Sequence, residues 1–107
     1  MSQIARIWHG RTPASKAKRY AEYIKETGVK EINDTKGNTG VLVLQRLNND
    51  IAEFTVISFW ESKEAIKRFA GEDINKAHYY DDDAQYLLEM PAELEHYEVT
   101  VASGLKL

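Results

Sequence analysis

The side chains in this 107-residue sequence that can move a proton near neutral pH are few. No cysteine occurs, which removes thiolate nucleophiles, thiolate metal sites and disulfides. Three histidines remain: His9, His78 and His96. His9 lies in the run IARIWHGR, where alternation puts it on one face with Ala5 and Ile7. An imidazole on a face beneath helices can take a proton from a phenol or an acidic C–H. The plainer role is a core-edge histidine satisfied by a backbone carbonyl. His78, Tyr79 and Tyr80 are consecutive. Tyrosine hydroxyls can donate to a developing oxyanion, and the rings can stack on a flat ligand. Tyr86 offers the same choices, and all of these aromatics could equally be filling space. His9 and Tyr79 are therefore the expected catalytic pair. Ile7, Phe69, His78, Tyr80 and Tyr86 are the expected pocket lining. His96 reads as structural, and Trp8 and Trp60 as packing or interface residues.

Other chemistries find little support. The histidines lack metal-ligand spacing, and no phosphate-binding glycine motif occurs. Asp81-Asp82-Asp83 reads as a solvated turn or helix start. The formal charge is −3 with no basic cluster, so nucleic acid is not an expected partner. No apolar run approaches membrane-spanning length, and the first residues lack a signal peptide's apolar core. The expectation is a cytoplasmic protein with no membrane partner. At 43% hydrophobic and 29% charged, one domain over residues 1–107 is expected.

The elements that must hold these side chains centre on Ile51–Ala70, IAEFTVISFWESKEAIKRFA. Phe54, Val56, Ser58 and Trp60 alternate with Thr55, Ile57 and Phe59, which predicts a strand apolar on both faces. Ser62 then caps a helix carrying Ala65, Ile66 and Phe69 inward, with Gly71 as its stop. Residues 4–11 predict a first strand. Thr12-Pro13 starts a helix that Gly28 closes, and residues 29–40 read as a loop. Residues 41–47 predict a second strand in a hairpin with the third. Asp73–His78 reads as one or two helical turns. Another turn from Asp81 would hold Tyr86, Leu87 and Met90 inward, and residues 93–102 predict a fourth strand. The order is the split βαβ pattern of a ferredoxin-like α+β sandwich: a four-stranded antiparallel sheet with helices on one face. A second sheet face this apolar predicts a homodimer packed sheet to sheet.

ISFWESKEAIKRFAGEDINKAHYY, with IARIWHGR and EHYEVTV, resembles the antibiotic biosynthesis monooxygenase superfamily over nearly the whole chain. The resemblance implies a dimeric α+β barrel with a pocket in each subunit. It implies a cofactor-independent monooxygenase acting on a small aromatic, quinol-like or polyketide-like substrate. The alternative is a non-catalytic or stress-related dimer that holds a hydrophobic ligand, haem included. Haem-degrading members carry Asn on the first strand, Trp on the second helix and His shortly after it. Those positions fall at His9, Phe69 and Tyr79, with His78 one residue earlier, so the usual haem-degrading set is not matched. Neither cofactor nor metal is expected.

Overall fold

The computed structural model describes residues 3–107. Four strands form one antiparallel sheet: β1 (Ile4–Pro13), β2 (Asn38–Asn48), β3 (Ile51–Trp60) and β4 (Glu95–Glu98), in the order β2-β3-β1-β4. The hairpin between β2 and β3 turns at Asn49, the one described non-glycine residue with positive φ (56°). That is a conformation asparagine tolerates. The order and the antiparallel pairing are those of the ferredoxin-like α+β sandwich. Among the described residues no helix is long and apolar enough to cross a membrane.

Register fixes which side chains meet. Trp8 pairs with Val56, Arg6 with Ser58 and Ile4 with Trp60. On β3, Ala52, Phe54, Val56, Ser58 and Trp60 are buried, and the residues between them are half-buried. The helices therefore cover the face carrying Arg6, Trp8 and Thr12. The face carrying Ile7 and His9 is left open. On it Leu42 and Ile7 flank Ile57, and His9 stands across from Thr55.

The first helical segment is longer than its sequence suggests. A 3-10 turn at 14–16 leads into α1 (Ala17–Ile24), a π-helical turn over Lys25–Val29, and α2 (Lys30–Asp34). Gly28 does not end the helix, and much of residues 29–40 is helical rather than loop. Burial explains the difference. Ile32 packs against Trp60, Ala65 and Ile66, and that contact outweighs the cost of a glycine inside the helix. Thr12, expected as a cap, is instead a buried strand residue.

The corner after β3 forms as its residues dictate. Ser62 Oγ accepts from Ala65 N at 3.2 Å and starts α3 (Lys63–Ala70), and Gly71 ends it at φ 87°. Beyond Gly71 the chain is irregular. Residues 73–78 form no helix and contribute only a single bridge, Lys76 to Glu93. A 3-10 turn at Asp83–Gln85 buries Leu87, holds Tyr86 half-buried and leaves Met90 exposed. β4 keeps only four of the ten residues expected of it, because it pairs with β1 from Ile4 to Ile7 alone.

Two apolar clusters result. One gathers Ala17, Tyr20, Ile24, Ala52, Phe54, Val56 and Leu87. The other gathers Ile32, Trp60, Ala65 and Ile66. The seam between them is not filled.

Candidate functional site

That seam is a cavity of about 70 Å³, within a cleft whose empty space, open solvent included, is about 600 Å³. Its floor is the sheet, through Arg6, Trp8, Val56 and Ser58. Its roof is the π-turn, through Thr27, Gly28 and Val29. The irregular segment after α3 closes the side with His78, Tyr79, Tyr80 and Asp83, and Phe69 projects from α3. Gly28 belongs in the roof because its hydrogen faces the Tyr80 ring: an added Cβ would stand 3.9 Å from Tyr80 Cε2. The lining is mostly apolar and aromatic with a few convergent polar groups, the composition of a small-molecule site.

The aromatic walls are fixed by contacts among themselves. Trp60, fully buried, stacks on Phe69 at 6.0 Å. Phe69 meets the His78 ring edge-on at 5.1 Å, and His78 meets Tyr80 edge-on at 5.0 Å. His78 Nε2 stands 3.7 Å from Glu31 Oε2. Trp8 Nε1 donates to the Tyr79 hydroxyl at 3.0 Å, and that hydroxyl donates to the Pro91 carbonyl at 2.5 Å. The Tyr79 oxygen is thus engaged as acceptor and donor, and burial raises its pKa. It stays a phenol and ties β1 to the 91 region.

Gly10 makes room for Trp8. A Cβ on residue 10 would stand 2.1 Å from Trp8 Cη2 and 2.6 Å from Cζ2. Gly10→Ala is therefore expected to push the indole off its place and break its bond to Tyr79. The fold should lose about 1–3 kcal/mol, the range for overpacking. Tryptophan emission and a urea titration of the variant would read both changes.

The polar groups of the cavity differ from those expected. His9 and Ile7 do not line it. His9 is exposed on the open sheet face, with Nδ1 3.1 Å from Thr55 Oγ1. Alternation grouped Ala5, Ile7 and His9 correctly, but the helices took the other face. Tyr86 also lies outside the lining. It packs on Tyr23 and Tyr20 at 5.0 and 5.6 Å, in the core behind the cavity. Phe69, His78, Tyr79 and Tyr80 do stand on its wall. The structure brings these four together and separates them from His9, Ile7 and Tyr86.

Two charged residues occupy the places that sequence reasoning left to others. Arg6 is 4% exposed and lies at 6.0 Å over the Phe69 ring. It donates through Nη1 to the Ile74 carbonyl and to His96 Nε2, and through Nη2 to the Lys76 carbonyl. Burial brings its pKa down to about 10. Burial first, then the charges of Arg6 and Lys63, pushes His96 down to about 4. His96 is thus a neutral acceptor at pH 7, with the proton on Nδ1.

Asp83 is also buried. Its Oδ2 accepts from Tyr80 N at 2.6 Å, and its own N donates back to the Tyr80 carbonyl at 3.0 Å. Burial raises its pKa from 3.8 to about 6, and His78 and the Tyr23 hydroxyl partly offset the rise. Burial, with Asp83 next, pushes the Tyr23 hydroxyl up to about 12. The Tyr80 hydroxyl is a buried polar atom without a protein partner. Among the described residues no cluster of His, Cys, Asp and Glu could hold a metal ion. The arrangement is an aromatic cleft whose wall carries a buried carboxylate with its pKa raised to about 6. Such a site can remove a proton and hold the resulting anion.

No protein-family model and no curated protein matches the sequence. Solved structures match over nearly the whole chain. A Bacillus cereus protein described as a candidate antibiotic biosynthesis monooxygenase is 15% identical with a TM-score of 0.68, covering 98% of this chain and 100% of that one. SnoaB, a cofactor-independent oxygenase from Streptomyces nogalater, is 12% identical with a TM-score of 0.60, covering 98% of each. MhuD, a haem-degrader from Mycobacterium tuberculosis with two haems bound in its active site, is 19% identical with a TM-score of 0.59, covering 94% and 99%. The likeness is one of architecture, and the chain has the fold of the antibiotic biosynthesis monooxygenases.

Proposed function

We propose that the cavity is the active site of a cofactor-independent monooxygenase acting on a small phenolic, quinol-like or polyketide-like compound. The observation that carries this reading is Asp83, a buried carboxylate on the wall of an aromatic cavity. Asp83 takes the phenolic proton. The Tyr80 hydroxyl, buried and without a protein partner, would donate to the phenolate once its ring turns toward the cavity. The electron-rich ring then reduces dioxygen, and one oxygen atom adds to a ring carbon. Overall a phenol and O2 give a quinone and water. The ring loses its phenolic and C–H hydrogens and four electrons, so no outside reductant enters. The low polarity of the walls keeps water from quenching the reactive oxygen species. SnoaB, a cofactor-independent oxygenase, shares this architecture.

An oxygen electrode tests the reading with a panel of naphthols and naphthoquinols. Oxygen uptake with stoichiometric quinone supports it, with one 18O atom per product from labelled dioxygen. The absence of uptake across the panel counts against it. The second reading, a non-catalytic ligand-binding protein that takes haem, is favoured by His78 on the cavity wall and by the likeness to MhuD. An iron ligated through His78 Nε2 would have to displace the contact with Glu31. Haemin titration followed by visible spectroscopy distinguishes it: a sharp Soret band lost in His78→Ala supports haem binding.

We propose also that two copies pack through the open sheet face, where Ile7, Leu42, Ile57 and Phe59 stand without a helix over them. Ile57→Lys puts a charge at the middle of that row. The variant is expected to sediment as one chain where the native protein sediments as two.

A further inference from the structure

Arg6 carries a charge that the protein does not balance. Buried cations are ordinarily paired with an anion, because removing them from water is expensive. Among the described residues no carboxylate forms an ion pair with Arg6; the four ion pairs present lie elsewhere. Asp83 shares the cavity but does not answer Arg6. No ion pair joins the two. The partners that Arg6 does have are two carbonyls and a neutral histidine.

The geometry of those contacts is selective. A guanidinium has five N–H donors. Both on Nη1 are taken, by Ile74 and His96, and one on Nη2 is taken by Lys76. The donors left without a described protein acceptor are Nε–H and the second N–H of Nη2. Those two nitrogens lie along one edge of the guanidinium, with the spacing of the two oxygens of a carboxylate. The two carbonyls and His96 hold Nη1 and one N–H of Nη2, which fixes the plane of the group. Arg6 lines the cavity, and Phe69 shields one face of its guanidinium.

We propose that the cavity selects an aromatic ligand bearing a carboxylate, and that Arg6 docks this carboxylate through its unused edge. The proposal rests on the cavity being the substrate site and narrows the substrate class to aryl carboxylates. Arg6 is here a binding residue, and the phenolic end of the ligand is left for Asp83 and Tyr80. The ligand anion supplies the charge balance that the protein lacks.

The probes are 4-hydroxybenzoic acid and its methyl ester, which differ in charge and little in shape and carry the hydroxyl at the end opposite the carboxyl group. Binding is read by quenching of tryptophan emission, since Trp8 lies in the cavity wall. The native protein is expected to bind the acid at least about tenfold more tightly than the ester, the lower end for a charge-assisted hydrogen bond. Arg6→Gln is expected to erase that preference, and Arg6→Lys to keep part of it. Equal binding of acid and ester by the native protein overturns the proposal and does not require any variant to fold. Undiminished preference for the acid in Arg6→Gln also overturns it. Oxygen uptake is measured in parallel and separates the two readings. Selective binding of the acid without turnover of any panel compound supports Arg6 docking and removes the oxygenase. Turnover of neutral phenols with no preference for the acid keeps the oxygenase and overturns the docking.

Discussion

Asp83→Asn is expected to lower kcat for phenol oxidation by about 10²–10⁴-fold, the contribution typical of a positioned general base. The amide keeps the shape and can still accept from Tyr80 N, so the turn at residues 80–83 should hold. What it cannot do is take a proton. In the native protein the rate should fall as pH drops through about 6, where Asp83 becomes protonated. The acid limb should disappear from the residual activity of the variant. Stability should move the other way. The pKa of Asp83 is higher in the folded chain than the ordinary 3.8, so the fold prefers its protonated form. That preference is fully present below pH 3.8 and is lost as pH rises through about 6. At pH 7 the buried carboxylate is ionised and costs the fold up to about 3 kcal/mol. Asp83→Asn removes this cost, and its urea midpoint at pH 7 should rise while activity is lost. A carboxylate that stabilised the fold would give the opposite shift. His9→Ala serves as the control, because His9 lies on the far sheet face and outside the cavity lining, so turnover should be nearly unchanged.

Trp60→Ala should be the most destabilising single change in the chain, at about 3–5 kcal/mol. Trp60 is fully buried and packs against Ile32, Ala65 and Ile66. Its Nε1 donates to Ser58 Oγ at 2.8 Å. It also stacks behind Phe69, so the change should reach the cavity as well as the core. Small domains hold only about 5–15 kcal/mol in all. The variant should therefore unfold at much lower urea or be isolated partly unfolded. Trp60→Phe keeps most of the buried area but leaves the Ser58 hydroxyl without its donor, at about 1–3 kcal/mol. Urea titrations of the two variants give the comparison. Equal losses would mean that the hydrogen bond, not the packing, dominates at this corner.

Much of this architecture was legible in the sequence, because strand and helix periods are local properties. The β3–α3 corner reads directly from Ser62, the helical spacing of Ala65, Ile66 and Phe69, and Gly71. The element order follows from the same signals. What alternation cannot say is which face the helices choose when both are apolar. On β1 it separated Arg6 and Trp8 from Ile7 and His9. An arginine looks like the wet side, and here it is the dry one. The cue was the pair Trp8 and Gly10 on one face, a large ring two residues from a position with no side chain. The three aspartates misled for a related reason. A carboxylate run suggests a solvated turn, and only the 3-10 turn folds Asp83 back onto the Tyr80 N–H. Gly28 suggested a stop because its role is set by Tyr80, a partner fifty-two positions away.

The π-turn over Lys25–Val29 has a geometric consequence. Ile24 and Ile32 are eight residues apart and both are buried. In a regular α-helix at about 100° per residue they would point about 80° apart. A π-turn adds one residue without advancing the helix by a residue's rotation. The effective spacing becomes seven, and the two isoleucines return to within about 20° of one line. The roof of the cavity therefore carries one residue more than a straight rod of the same phase would need. That surplus sits where Thr27, Gly28 and Val29 face the ligand space. Removing that one residue would turn the segment into a regular α-helix and narrow the roof, while Ile24 and Ile32 keep their seats.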